Sequence, residues 1–503
     1  MRVPRFHLKN GLIRVNLLSI LLLSTLLVGS VPKGEEPSRK PKANSKGAKI
    51  ISKFKYPEIH WKVPEVGEDV KRIEMENGMI LYLKEDHNLS LINLQAIIRT
   101  GAFYEPKEKE GLANLTGRVL RTGGTQNLSG DELDRELEYI AANLSTSIGD
   151  ESGRASLNVL KKNFDKALTH FAELLMSPRF EQEKIDLAKK EIKESIRRQN
   201  DSPGSILSRE FYKLIYGDHP YGRSLEWEPI SKIARKDLIA FHKKYFHPNN
   251  IILGITGDFN EGEMIEKIKR NFRDWKSSTI DFPEVPKVEE KFTGSVNLIP
   301  KEINQTNIRI GHLGVDRTNP DIYAITLMNF VLGGGSFTSR MTERVRSDEG
   351  LAYSVGSRFQ TDTQDLGAFY ANCQTKTETT HRTIDILLEE IEKIRNAPVE
   401  DWELELGKNV YINRYVFNWT STVSIVSQLM FLEYNNRPRD YYQTYLDKIR
   451  AVTKEDIQRV AKEYLHPDRL CILVVGDSEN FDKPLDDLGE VKVISLKEPI
   501  LPE

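Results

Sequence analysis

The chain has 503 residues, 39% hydrophobic and 29% charged, a balance that excludes a disordered polyampholyte, a collagen-like chain and a multi-span membrane protein. Lys and Arg total 72 against 74 Asp and Glu, and four of the basic residues lie in the first 30 positions, so the remainder is net −6 and offers no broad basic footprint for nucleic acid. At roughly 100–200 residues per domain, the length provides for two to four domains, each able to bury a core without disulfides.

Arg2, Arg5, Lys9 and Arg14 precede the apolar run Val15–Val31. A positive flank before such a run predicts an export signal over residues 1–31. Val28 and Ser30 offer small residues for cleavage, and an uncleaved anchor is the rival reading because the run is near the lower length limit for a span. The expected location is therefore the periplasm or cell envelope, either free or anchored to the inner membrane. Residues 32–69 are expected as a flexible tether and lead-in, Lys-, Pro- and Ser-rich up to about Lys55.

Within the body, Arg72–Lys84 is split by Asn77-Gly78, a hairpin signal, and Leu91–Thr100 reads as a further strand. Helical patterns follow at Gly111–Thr122, Ser129–Ala141, Asn163–Met176, Gln182–Arg198 and Pro203–Tyr216, with strands at Leu144–Ile148 and Arg154–Leu160 between them. Later come strands near Ser295–Leu298 and Asn307–Gly314, a helix at Asp321–Leu332 stopped by Gly333-Gly334-Gly335, strands at Tyr353–Phe359 and Ala368–Cys373, then long helices. Cys373 and Cys471 each sit in an apolar run and read as small core hydrophobes, and two thiols cannot make a four-thiolate zinc site.

The segment 235–258 matches 454–477 without a gap at an offset of 219; each copy reads as helix, His-Pro turn, buried strand and Gly-Asp stop. An internal duplication follows. We expect an α+β fold of two homologous domains at 70–270 and 293–485, each an antiparallel sheet with helices on one face, meeting across a cleft. A linker at 271–292 joins them and a tail occupies 486–503.

The ordered set formed by the Asn-Gly hairpin, Arg99-Thr-Gly-Ala, Glu110-Gly-Leu-Ala, Gly123-Gly-Thr, His219-Pro-Tyr-Gly and the His-Pro…Gly-Asp unit resembles the insulinase, pitrilysin and mitochondrial processing peptidase superfamily. The resemblance implies inverted zincins, in which an H-x-x-E-H helix supplies two His ligands and the Glu that activates zinc-bound water, and a later Glu supplies the third ligand. The corresponding window here is Asn114-Leu-Thr-Gly117-Arg118, so an amide, a hydrogen and a guanidinium replace imidazole, carboxylate and imidazole. Glu191 resembles the third-ligand position; an Arg118–Glu191 ion pair and a solvated helix charge are its two readings. The ten histidines include no pair three or four positions apart. This chain is expected to bind no metal itself.

The stretch Ser339–Tyr353 is similar to the family's Arg/Tyr element, which implies that Arg346 and Tyr353 hold substrate carbonyls from the side opposite the zinc. Arg340 and Arg344 read as solvated or acid-paired. A degenerate first half with this element retained implies a non-catalytic, substrate-binding subunit of a two-chain zinc endopeptidase. Its expected partners are a zinc-bearing homologous chain and a peptide or unfolded polypeptide taken as an extended strand. A catalytically dead structural scaffold is the alternative, and independent hydrolysis through an unseen metal site the third reading.

Overall fold

The computed structural model describes residues 61–290, 293–499 and 501; the expected export segment and most of the tether lie outside them. Among the described residues no helix is long and apolar enough to cross a membrane.

The first half opens with β1 (Lys71–Glu74) and β2 (Ile80–Glu85), antiparallel neighbours turned at Asn77-Gly78, where Gly78 takes φ +82°. Glycine adopts that conformation without a Cβ penalty. After β3 (Leu91–Ile98) come α1 (Leu112–Thr122) and α2 (Gly130–Tyr139), then the hairpin of β4 (Asn143–Ile148) and β5 (Gly153–Leu160). Helices α3 (Phe164–Met176), α4 (Gln182–Arg197), α5 (Pro203–Tyr216), α6 (Trp227–Lys232) and α7 (Arg235–Tyr245) lead to β6 (Ile251–Gly257), buried at every position, and to α8 (Glu261–Asn271).

The second half repeats this order with β7 (Ser295–Pro300), β8 (Gln305–Leu313), α9 (Ile322–Asn329), the short α10 (Arg340–Thr342), β9 (Ala352–Phe359) and β10 (Ala368–Lys376). Helices α11 (Thr380–Asn396), α12 (Asp401–Tyr415), α13 (Thr422–Tyr434), α14 (Tyr441–Ala451) and α15 (Lys454–Tyr464) precede β11 (Cys471–Gly476) and β12 (Val491–Val493).

Two six-stranded sheets result, ordered β1-β2-β6-β3-β5-β4 and β12-β7-β11-β8-β10-β9. From the second position on, the orders correspond strand for strand, which is the duplication expressed as topology. The sheets are mixed rather than wholly antiparallel, because β2 pairs with β6 in parallel and β7 pairs in parallel with both β11 and β12. The outermost strand beside β2 comes from the Asn-Gly hairpin. The second half has no such hairpin, so the edge of β7 is covered instead by β12, from the stretch expected as a tail; an uncovered edge of backbone donors and acceptors is a pairing hazard.

The halves also exchange helices. α5 of the first half lays Ile206, Leu207 and Phe211 against Ile299, Leu473 and Val475 of the second sheet, while α13 of the second half lays Val426, Leu429 and Met430 against Tyr82 and Ile252 of the first. Met430 fits because residue 254 is glycine: a Cβ there would stand 2.4 Å from its Sδ. Both helices start on a serine N-cap, Ser202 and Ser421, again 219 apart, each accepting from the backbone N–H three residues on. Each buried side chain of this size contributes about 1.5–3 kcal/mol, so the halves are joined by a shared core. One face of each sheet is thus covered by a helix of the opposite half.

A polar seam reinforces this core. Arg72 meets Glu433 through two hydrogen bonds of 2.9 and 3.0 Å, and the Tyr82 hydroxyl donates to the same carboxylate at 2.7 Å. Glu151, at the β4–β5 turn, receives the Tyr221 hydroxyl, Arg317 Nη2 at 3.0 Å and the Gln364 backbone N–H at 3.0 Å. That turn docks on Gly101, where any Cβ would meet the Asp150 carbonyl oxygen at 2.0 Å. Both cysteines are buried and free, and burial pushes their thiols up, Cys373 to about 12 and Cys471 to about 11.

Candidate functional site

The helix carrying the altered zinc motif is α1. Its N-terminus is held by Glu105, whose carboxylate accepts from the Gly111 and Ala113 backbone N–H groups at 2.8 Å each. Burial pushes this carboxyl up to about 7 against those two donors, which favour its charged form. Along α1, Asn114 is half-buried, Gly117 buried and Arg118 exposed. Arg118 Nε donates to Asn114 Oδ1 at 2.9 Å, one turn back on the same helix.

Gly117 faces the outermost strand. The Thr146 hydroxyl of β4 donates to its carbonyl at 2.8 Å, and a Cβ at this position would stand 2.3 Å from Ile148 N and 2.8 Å from Ser147 C. The helix therefore rests on strand backbone where an active member carries its catalytic glutamate. A zinc ion does not fit these residues: the donor set lacks both imidazoles, a fixed cation occupies the second ligand position, and the glutamate has no room for its first carbon. Among the described residues no group of three His, Cys, Asp or Glu side chains is arranged to hold a metal.

Glu191 does not pair with Arg118. It lies exposed on α4 beside Lys190 and Glu194, a solvated helix carboxylate, and the Arg118–Glu191 ion pair expected from the sequence is absent among the described residues. The physical reason is local, since Arg118 is turned along its own helix to an acceptor already in reach.

The second region is built differently. α9 continues into a π-helical turn, Phe330–Gly334, that ends at Gly335 with φ −80°, so the glycine run does not end the helix through a left-handed residue. Its glycines serve close approach: a Cβ on Gly333 would stand 2.5 Å from Ser357 N of β9. α10 likewise passes into a π-helical segment, Glu343–Asp348, that carries Arg346, and Gly350 at φ +65° turns the chain into β9, the outermost strand of its sheet. π-Helical turns are rare and concentrate at functional sites.

Arg346 and Tyr353 come together here. The Arg346 guanidinium lies 4.4 Å from the Tyr353 ring centroid, and its Nη1 donates to the Tyr353 carbonyl at 3.3 Å. On Phe337 the guanidinium stacks at 4.5 Å, so the cation sits between two aromatic rings. Tyr353 is 82% exposed and Phe337 65%, so this stack faces solvent although stacked aromatics usually bury. Phe337 was not singled out in the sequence; its only signal is an aromatic residue directly after the Gly-Gly-Gly-Ser turn, and nothing in the linear order ties it to a residue nine positions later.

The neighbouring arginines are spoken for. Arg340, buried in α10, makes a two-pronged pair with Glu403 at 2.7 and 2.6 Å, and Arg344 reaches Glu389 at 3.2 Å and Glu390 at 3.4 Å. Arg346 has no carboxylate at ion-pair distance among the described residues. The fold neutralises two of three cations on one segment and leaves the third presented edge-on, a planar donor fork that suits carbonyl or carboxylate oxygens.

Comparison with known proteins agrees with this reading of the fold. Residues 81–228 match the family model described as insulinase (peptidase family M16) and residues 232–411 the one described as peptidase M16 inactive domain. A Rickettsia felis protein named as an uncharacterized zinc protease is 24% identical over 323 residues, 63% of this chain and 75% of its own. A Helicobacter pylori protein named non-peptidase homolog YmxG is 24% identical over 402 residues, 79% of this chain and 91% of its own. The crystal structure of a peptidase M16 inactive domain from Pseudomonas fluorescens superposes with a TM-score of 0.74 at 24% identity, covering 81% of this chain and 98% of that one. The periplasmic protease PqqL of Escherichia coli gives a TM-score of 0.69 at 15% identity over 89% of this chain and 49% of its own. With both models in place over most of the body, two duplicated sheets and no H-x-x-E-H motif, the chain belongs to the insulinase superfamily, peptidase family M16, as a homologue without the zinc motif.

Proposed function

We propose that this chain is the exported, non-catalytic subunit of a two-chain zinc endopeptidase, holding peptide at Arg346 and Tyr353 while a homologous chain bearing the zinc motif performs hydrolysis. The observation that carries this reading is the guanidinium of Arg346, stacked on Phe337 and on Tyr353 of an outermost strand, with no carboxylate at ion-pair distance among the described residues. An extended peptide laid along β9 would bring its carbonyls to the Arg346 fork and the Tyr353 hydroxyl, since strand addition supplies main-chain pairing and leaves fixed side chains to read the guest. The chain spans about half of the matched periplasmic protease, consistent with two chains dividing a larger arrangement. Export is carried by Val15–Val31 and its basic flank.

The test is reconstitution with a homologous chain that carries an intact H-x-x-E-H motif, to be sought first among the neighbouring genes. Alone, the purified protein binds no stoichiometric zinc and leaves a quenched peptide library intact. Mixed with that partner it produces chelator-sensitive cleavage, which Arg346→Ala and Tyr353→Phe each reduce at least tenfold. Cleavage that both variants leave unchanged removes the role of the pair; a stable complex without any cleavage would favour the scaffold.

A further inference from the structure

Arg437, in the loop between α13 and α14, contributes to the walls of three cavities of about 610, 610 and 600 Å³. Its guanidinium lies 4.5 Å from the Tyr441 ring centroid, its Nε is buried without a hydrogen-bond partner, and among the described residues no carboxylate stands at ion-pair distance. The terminal nitrogens of this guanidinium fork are not among the buried atoms and make no side-chain hydrogen bond among the described residues, so they are what Arg437 offers to an acceptor in the cavity. The preceding residue, Asn436 at φ +51°, caps α13 in the left-handed conformation, with its N–H on the Glu433 carbonyl at 3.2 Å and the Arg437 N–H on the Leu432 carbonyl at 3.0 Å, which fixes where Arg437 leaves the helix.

Lys448 lines the first of these cavities from α14, 5.2 Å from the Tyr323 ring centroid, and it too has no carboxylate partner among the described residues. The other charges of this cavity are mostly spent on one another. Arg459 grips Asp321 at 2.6 and 2.9 Å and stands 3.7 Å from Asp456, and Arg317 reaches Glu151 at 3.0 Å. Ile322, Pro438 and Val452 add apolar side chains to the lining that Tyr323 and Tyr441 share. The cavity thus combines apolar and aromatic sides with two cations that nothing in the described chain neutralises.

We infer that this cavity binds a ligand ending in a carboxylate on an apolar body, with Arg437 and Lys448 on the carboxylate and Tyr323 and Tyr441 against the body. An arginine fork matches a planar carboxylate through two parallel hydrogen bonds, and a lysine adds a point charge. The end of a peptide chain with an apolar last residue and a small free carboxylic acid share this chemistry. None of these residues belongs to the Arg346 stack, so this inference and the proposed function stand or fall separately.

Isothermal titration of the full chain with N-acetyl-Leu-Phe, with its C-terminal amide and with hydrocinnamate tests it. The acid peptide binds with at least tenfold higher affinity than the amide; Lys448→Met and Arg437→Gln each weaken the acid about tenfold and leave the amide unchanged. Arg346→Ala has no effect on any of the three. Hydrocinnamate binding as well as the peptide assigns the site to small acids, and peptide binding alone assigns it to chain ends; both outcomes support the inference. Equal affinity for acid and amide, or no binding of any acid at millimolar concentration, overturns it. Lys448→Met changes a solvent-facing ammonium only, so it decides the matter if Arg437→Gln proves unstable.

Discussion

The vacated zinc helix and the Arg346 segment occupy similar places, each beside the outermost strand of a six-stranded sheet, and the chain has treated them in opposite ways. In the first half Gly117 sits on the backbone of β4 and Arg118 is satisfied by Asn114, so the former catalytic face is closed sterically and electrostatically. In the second, Gly333 makes the same kind of approach to β9, yet the following segment leaves Arg346 without a carboxylate at ion-pair distance among the described residues and sets it against two exposed rings. Loss of chemistry in one half is a packed, self-contained arrangement; retention in the other is visible as a charge left open.

The sharpest way to break this comparison is to remove the frame that holds Arg346 out. Glu403→Ala leaves the Arg340 guanidinium buried without its carboxylate, and breaking such a pair costs about 3–5 kcal/mol. Urea unfolding should read that loss as a lower midpoint with an unchanged slope. A cost below about 1 kcal/mol would mean that α10 does not depend on this pair.

The closure of the first half is tested next. Gly117→Ala places a carbon against Ile148 N and should cost about 1–3 kcal/mol, as overpacking does. Rebuilding the motif as Asn114→His, Gly117→Glu and Arg118→His should not confer zinc: metal analysis after dialysis finds less than stoichiometric metal, because the glutamate displaces the helix from β4. A rebuilt chain that holds one zinc tightly would show that the helix adjusts freely and that closure is not steric.

Acid probes whether the halves yield together. His242 in the first half and His312 in the second are buried, and burial pulls each imidazole down to about 4 from 6.5. His242 Nε2 lies 2.9 Å from the Leu175 carbonyl; His312 Nδ1 lies 2.7 Å from the Leu313 carbonyl while its Nε2 accepts from the His466 backbone N–H at 3.1 Å, an arrangement only the neutral ring satisfies. Between pH 6.5 and 4 these two imidazoles are protonated in the unfolded chain and neutral in the folded one, so their contribution to stability rises with pH across that window and is lost as pH falls, while the Glu105 carboxyl, raised to about 7, works in the opposite sense. Each histidine contributes about 1.4 kcal/mol per pH unit there. The exchanged helices α5 and α13 require one cooperative transition, and fluorescence and far-ultraviolet dichroism should give coincident acid midpoints. Two separated transitions would mean the halves are thermodynamically independent.

Much of this was legible in the sequence because the signals are local. The Asn-Gly turn, the capped helices and the 219-residue offset fix strand and helix positions to within a few residues, and the lost ligands are read directly from three side chains. The exchange of α5 and α13 was not read, although Ser202-Pro-Gly-Ser-Ile-Leu-Ser and Ser421-Thr-Val-Ser-Ile-Val-Ser repeat at the same offset. Their burial is against the other half, and no helix period says which sheet a face will meet. The fate of Arg118 was missed for a related reason: the family register points it at Glu191, whereas an acceptor four residues back costs less order to reach. Phe337 is invisible without coordinates because its partner, Arg346, lies across two turns of irregular helix.

The smallest expected effect on stability is the most informative about the open half. Arg346 is half-buried, stacks on two exposed rings, donates to one carbonyl at 3.3 Å and has no carboxylate at ion-pair distance among the described residues, so Arg346→Ala breaks no ion pair there. Its unfolding free energy should stay within about 0.5 kcal/mol of the parent, as for a surface change away from structural features. Arg340→Ala, six residues earlier on the same segment, should be several times more damaging because it orphans Glu403 in the interior. If Arg346→Ala proved as destabilising as Arg340→Ala, the guanidinium would be a structural strut and its freedom from carboxylates an accident of packing. If the two separate as expected, the fold spends stability on Arg340 and none on Arg346, and the reason for keeping Arg346 lies in what it meets outside the chain.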